Sequence, residues 1–305
     1  MFQRSLFKQL IKFSFKGKAI FILGARQTGK TTLAKEMLKY FQKNGSKIKV
    51  FNCDDPKSRN YLDNRGLEFL IDIIGDCDTI LVDEGQKVET IGQTIKLLVD
   101  HFGKKKQIIV TGSSSFNLLD KTEEVLTGRK YIFHLYPLSL EEIHPDRDLL
   151  SVNNNLENYL IYGSYPEVIN KKSSEEKKKI LEEITTSYLY KDILEFQKIK
   201  NSSILFNLLK ALSLQVGSEV SYTELATLIG IDKNTVEKYI DLLEKNFIIF
   251  RLPPFFSNKR REIAKMRKIY FHDLGVRNMI INNLNPLSDR NDVGSLWENL
   301  LLTRD

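Results

Sequence analysis

Gly24, Gly29, Lys30 and Thr31 stand at the spacing G-x-x-x-x-G-K-T within "FILGARQTGKTTLAKEM". That order of residue types suits the binding of phosphate. Backbone N–H groups can wrap phosphate oxygens only where side chains do not collide and where φ turns positive, which favours glycine at both ends of the loop. The Lys30 ammonium would neutralise the β and γ phosphates, and the Thr31 hydroxyl would ligate Mg2+. The helix expected after the loop would aim its positive N-terminal dipole at the same anion. Gly24, Ala25, Arg26, Gln27, Thr28, Gly29, Lys30, Thr31 and Thr32 are therefore read as the nucleotide-binding segment, a P-loop.

A P-loop works with a second carboxylate, and "TILVDEGQKV" offers one. Asp83 ends an apolar strand and would hold Mg2+ through water beside Thr31. Glu84 directly after it could orient or deprotonate an attacking water, a role in hydrolysis rather than storage. A solvated glutamate at a strand end is the competing reading. In "QIIVTGSSSFNLL", Thr111 or Ser113 could hydrogen-bond the lytic water or the γ-phosphate, unless the turn is serine-rich for ordinary reasons. Arg129 in "VLTGRKYIF" could bring a guanidinium to a γ-phosphate, its own or that of a neighbouring subunit, or could make a surface ion pair.

The elements that must position these groups alternate from Ala19 to about Leu135. The strands expected are "AIFIL", "IKVFNC", "TILV", "QIIV" and "YIFHL". Their nearly continuous hydrophobicity suits strands buried on both faces of a parallel sheet, with intervening segments long enough for crossover helices. The fold class predicted is α/β, a P-loop NTPase three-layer parallel sheet followed by a helical lid and a winged-helix domain. The start, "MFQRSLFKQLIKFSFKGK", reads as an amphipathic basic helix that packs on the domain after it rather than on a membrane. The expected divisions are 1–18 for this helix, 19–140 for the core, 141–202 for the helical lid, 203–256 for the winged helix, and 257–305 for a basic segment with the last stretch of the chain.

In "YTELATLIGIDKNTVEKYIDLLEKNFIIFRL", two short helices flank a glycine turn. Ala226, Gly230 and Val236 fall where a helix-turn-helix needs a small residue, a turn glycine and a β-branched core residue, and Asp232 would cap the second helix. "FIIFRL" reads as the strand of a wing. Lys233, Asn234, Thr235, Glu237 and Lys238 offer polar contacts, but Glu237, Asp241 and Glu244 on the same helix oppose a polyanion. The stronger basic footprint is "NKRREIAKMRK", where Lys259, Arg260, Arg261, Lys265, Arg267 and Lys268 could clamp DNA phosphates or form a solvated basic face.

Bulk composition sets outer bounds. The 305 residues, 42% hydrophobic and 28% charged, exclude wholesale disorder and a membrane bundle. A formal net charge of +7 permits a polyanionic partner without demanding one. Cys53 and Cys77 have no metal-ligand spacing and read as reduced thiols. No apolar run is long enough to span a membrane and no cleavable leader is evident, so the chain reads as cytoplasmic.

These motifs, with "YPLSLEEI", "GSYPEV", and "KIYFHDLGVRN" before "GSLWEN", run in order from Arg4 to the end. The chain resembles a prokaryotic family of AAA-type P-loop ATPases whose core is followed by a winged helix and a C-terminal domain of unknown function similar to restriction-endonuclease folds. The resemblance implies ATP rather than GTP, with Lys30 and Thr31 on phosphate and Mg2+, Asp83 on the metal and Glu84 in hydrolysis. It carries over to Arg129 and the serines after Thr111 less fully. Family members continue past the equivalent of "GSLWENLLL", whereas this sequence stops at Asp305, so a truncated C-terminal domain without a nuclease site is expected. Leu296, Trp297, Leu300, Leu301 and Leu302 should then share a helix missing part of its packing partner. The leading expectation is an ATPase whose cycle reorients the winged helix, with a homo-oligomer completed by Arg129 as one form it could take. A nucleotide-gated DNA- or protein-binding module with negligible turnover is the alternative, and a small-molecule kinase fits less well.

Overall fold

The computed structural model describes residues 2–113, 125–146, 148–186, 202–253 and 267–303. They form two compact units that divide between Tyr136 and Pro137. The first is built on five parallel strands: β1 (Ala19–Leu23), β2 (Ile48–Asn52), β3 (Thr79–Asp83), β4 (Gln107–Gly112) and β5 (Lys130–His134). Their order across the sheet is β2-β3-β4-β1-β5, so β4 lies between the metal-motif strand and the P-loop strand.

Register explains why these strands read as continuous apolar runs. Ile20, Ile109 and Leu81 lie in one row across β1, β4 and β3, and Phe21, Val110 and Val82 lie in the next. Side chains alternate between faces, yet both rows are fully buried, so both faces of the central sheet are covered. The edge strands depart from the expected burial on both faces: Val50 of β2 is 49% exposed and Ile132 of β5 is 38% exposed. An outermost strand has a neighbour on one side only and escapes part of the helical cover.

Among the described residues, five α-helices flank this sheet: α1 (Leu6–Phe13), α2 (Lys30–Lys43), α3 (Pro56–Leu62), α4 (Leu67–Ile74) and α5 (Ile91–Phe102). In α2, Leu33, Ala34, Met37, Leu38 and Phe41 repeat at helical spacing and bury one stripe. Leu10 of α1 is fully buried in the same cluster, joined by Leu6, Phe7, Ile11 and Phe13. The Phe13 ring meets Tyr131 and Phe133 edge-on, with centroids 4.9 and 5.7 Å away. The amphipathic start therefore packs on the sheet domain.

The second unit begins with α6 (Leu140–Ile143), α7 (Leu149–Tyr162), α8 (Pro166–Ile169) and α9 (Ser174–Thr186). It continues with α10 (Ser202–Leu214), β6 (Glu219–Val220), α11 (Tyr222–Ile229), α12 (Lys233–Lys245), β7 (Ile249–Leu252) and β8 (Arg267–Phe271). Strands β6, β8 and β7 form an antiparallel sheet in that order. Between α11 and α12 the chain turns at Gly230, and Asp232 caps α12 by accepting from the Thr235 N–H at 2.9 Å. Ala226 and Val236 are buried beneath the turn.

Helices α13 (Leu274–Ile280) and α14 (Val293–Leu302) close the described chain. The "HDLGVRN" stretch ties several elements together. Asp273 caps α13 through the Val276 N–H and also accepts from the Ser164 N–H at 2.7 Å. Arg277 donates to the Ser213 carbonyl near the end of α10 at 2.7 Å, and Asn278 donates to the carbonyls of Leu160 and Ile161 in the last turn of α7. On α14, Leu296 and Leu300 are buried with Leu160 and Leu274, whereas Trp297 and Leu301 are 37% and 53% exposed.

Candidate functional site

The P-loop leaves β1 at Gly24, which is pressed against β5's exit. A Cβ there would come within 2.1 Å of the Leu135 carbonyl oxygen, so only glycine fits. At the other end Gly29, with φ of +96°, starts α2, and no side chain caps the helix. An uncapped, positively polarised helix start is what an anionic ligand needs. The Lys30 side chain is buried and its ammonium donates to the Ala25 carbonyl across the loop at 2.7 Å.

Opposite the loop, the Thr31 hydroxyl donates to the Asp83 carboxylate, with oxygens 2.9 and 3.1 Å away. Thr111 donates to Asp83 Oδ1 from β4, and its hydroxyl also accepts from the Glu84 N–H at 3.1 Å. Asp83 is therefore held from both sides by hydroxyls. The hard oxygens of Thr31 and Asp83 form a donor set that suits Mg2+. Glu84 itself has φ of +55°, and the turn Gly85–Lys87 begins beside it. Its Oε2 accepts from the Gln86 amide at 2.6 Å, and the same amide lies 2.9 Å from Ser113 Oγ.

Lys30, Thr31, Asp83, Glu84, Thr111 and Ser113 thus gather at the C-terminal edge of the parallel strands. The Thr111 hydroxyl anchors the Asp83 carboxylate and the Glu84 backbone. Arg129 lies elsewhere. It precedes β5, whose first residue pairs with Ala19 at the start of β1, about 15 Å along the strands from the P-loop edge. There it forms an ion pair with Asp100 at 2.5 Å. The serines after Ser113 lie outside the described residues.

Two side chains here carry no sequence signature. Gln86 is one. The other is Arg4, 8% exposed, whose guanidinium donates to the P-loop carbonyl of Thr28 at 2.9 Å and to the Tyr136 carbonyl at 2.6 Å. Within an amphipathic basic segment, it looks like any surface cation. Cys53 follows β2, its N–H donating to the Asp83 carbonyl. Burial pushes its thiol up to about 12, so it stays protonated.

In the second unit, two of the acids expected to oppose a polyanion are internally paired. Arg251 on β7 contacts Asp241 at 2.7 Å and Glu244 at 2.8 Å. Lys259, Arg260, Arg261 and Lys265 lie outside the described residues. Arg267 and Lys268 open β8, where Lys268 and the Tyr270 hydroxyl donate to Glu298 at 2.9 and 2.7 Å. Those two bonds hold the Glu298 carboxyl below the usual range and dock α14 on this sheet.

Residues 16–144 match a family described as an AAA domain, and residues 153–287 match a domain of unknown function (DUF8612). The AAA-domain match thus falls on the parallel-sheet unit and includes its P-loop. An uncharacterized protein of Mycobacterium tuberculosis is 22% identical over 94% of this chain, and the chain spans 62% of that relative's length. An uncharacterized protein of Methanocaldococcus jannaschii is 26% identical over 94% of the chain and 67% of the relative. Among solved structures, AMPPCP-bound DnaA from Aquifex aeolicus is similar at 19% identity and a TM-score of 0.40, covering 78% of this chain and 86% of that one. Among the described residues, no helix is long and apolar enough to cross a membrane.

Proposed function

We propose that the first unit binds Mg-ATP and hydrolyses it. The observation that carries this reading is the hydrogen-bonded row Thr31–Asp83–Thr111–Glu84, which sets a metal-ligating pair beside a carboxylate suited to water activation. Bound Mg2+ would neutralise phosphate charge during transfer. The protein's own groups do the rest. Lys30 leaves the Ala25 carbonyl for phosphate oxygens, the α2 N-terminus faces the anion, and Glu84 accepts the proton of the attacking water. The AAA-type match favours ATP as the nucleotide.

The order helix, short strand, helix, turn, helix and two strands, with the sheet arranged β6-β8-β7, supports a winged helix in the second unit. Pairing of Asp241 and Glu244 with Arg251 removes much of the acidic objection to DNA on α12, leaving Lys233, Asn234 and Lys238 exposed. The ATP cycle is read as controlling this arm, which contacts DNA.

Equilibrium binding of a fluorescent ATP analogue, with and without Mg2+, tests the first step. Lys30→Ala should weaken binding about tenfold or more, and unchanged affinity would exclude the P-loop as the nucleotide site. Anisotropy of labelled duplex DNA with ADP or ATP at two salt concentrations tests the second. Salt-sensitive binding that differs between nucleotides is expected. No binding in either state would leave the arm to a protein partner.

A further inference from the structure

We propose that Gln86 is a positioning residue for Glu84, fixing one carboxylate oxygen against Ser113 so that the other serves the attacking water; this rests on the hydrolytic reading above. Gln86 is 3% exposed, which is unusual for an amide three residues past a strand end. Its place is set by backbone packing. A Cβ on Gly85 would lie 2.6 Å from the Val110 side chain, so glycine lets the turn close against β4. This approach puts the Gln86 amide between Glu84 Oε2 at 2.6 Å and Ser113 Oγ at 2.9 Å.

A glutamate side chain left in solvent samples many rotamers, and a base that wanders is in position only part of the time. A buried amide N–H donating to a carboxylate is a charge-assisted bond, strong enough to select one rotamer. Glu84 Oε1 has no hydrogen-bond partner among the described residues and remains available to water. Ser113, at the exit of the strand between the P-loop and metal-motif strands, shares the same amide. The Ser113 hydroxyl also lies 3.5 Å from Glu84 Oε2, so a change there on γ-phosphate binding would reach Glu84 both directly and through the shorter Gln86 bonds.

The test uses the full chain with Gln86→Leu, which removes the donor at similar size, and Gln86→Glu, which sets a like charge beside Glu84. Single-turnover and steady-state ATP hydrolysis are measured across pH, together with ATP affinity and melting temperature. Gln86→Leu should lower kcat about tenfold while affinity stays within about twofold, the pattern of a lost positioning contact. Gln86→Glu, which keeps the size and sets a like charge beside Glu84, should lower kcat at least as far, again with affinity within about twofold. A wild-type kcat in both variants overturns the inference, as does a parallel fall in kcat, affinity and melting temperature, which marks a merely structural role. If Gln86→Leu does not fold, the split between kcat and affinity in Gln86→Glu decides alone. Wild-type turnover that Glu84→Gln abolishes and the Gln86 variants leave intact overturns this inference only. Absence of turnover in the wild type overturns the hydrolytic reading as well.

Discussion

Thr111 is the hinge of the site at the level of single residues. One hydroxyl donates to Asp83 and accepts from the Glu84 N–H, so a single atom sets the spacing of the two carboxylates. Thr111→Val keeps the shape and removes both bonds, leaving a partly buried N–H unsatisfied. Loss of such a bond costs roughly 1–3 kcal/mol, so kcat should fall about tenfold or more. Wild-type kcat in that variant would show that the spacing is set elsewhere. That Lys30, Thr31 and Asp83 would meet at one edge was legible in the sequence, because the phosphate and metal chemistry expected there restricts both type and spacing. Gln86 and Arg4 were not, because their contacts with Glu84 and with the Thr28 carbonyl arise from approach in space and leave no local pattern.

At the scale of elements, apolar runs announced all five parallel strands to within about two residues, a margin normal for such boundaries. The sequence could not show which acids on α12 were already paired, since Arg251 reaches Asp241 and Glu244 from the next strand. Nor did it show that "HDLGVRN" joins α7, α10 and α13. Burial pushes the Asp273 carboxyl up to about 6 despite its backbone donors. A raised value means the folded state holds its proton more tightly than the unfolded chain, so stability falls as pH rises from about 4 to 6. Denaturant melts should show that loss, on the order of 2–3 kcal/mol, and Asp273→Asn should flatten it. An equal slope in the variant would assign it to another group. Asp292 has the opposite sign. Hydrogen bonds from Arg290 and Arg277 hold its carboxyl below the usual range, so its contribution is present above about pH 4 and lost in acid. Asp292→Asn leaves two arginines, 2% and 0% exposed, short of a counter-charge and should cost about 3 kcal/mol at neutral pH. A calorimetric melt unchanged by that substitution would contradict the assignment.

For the molecule as a whole, one chain carries a parallel-sheet domain with a P-loop and a second unit with a short helical pair and a small antiparallel sheet. The net charge of +7 gave little guidance to function, since Lys47, Arg129, Arg251, Arg277 and Arg290 are all engaged with carboxylates. Chemistry at the strand ends was far more informative than total charge. The central claim is that this chain cleaves ATP with Glu84 as base. Single-turnover hydrolysis of γ-labelled ATP by the wild type and Glu84→Gln, at saturating protein with Mg2+, tests it most directly. Cleavage by the wild type is predicted, with a fall of roughly 10²-fold or more in Glu84→Gln while ATP still binds. Equal rates in the two proteins, or tight binding without cleavage in the wild type, would contradict it.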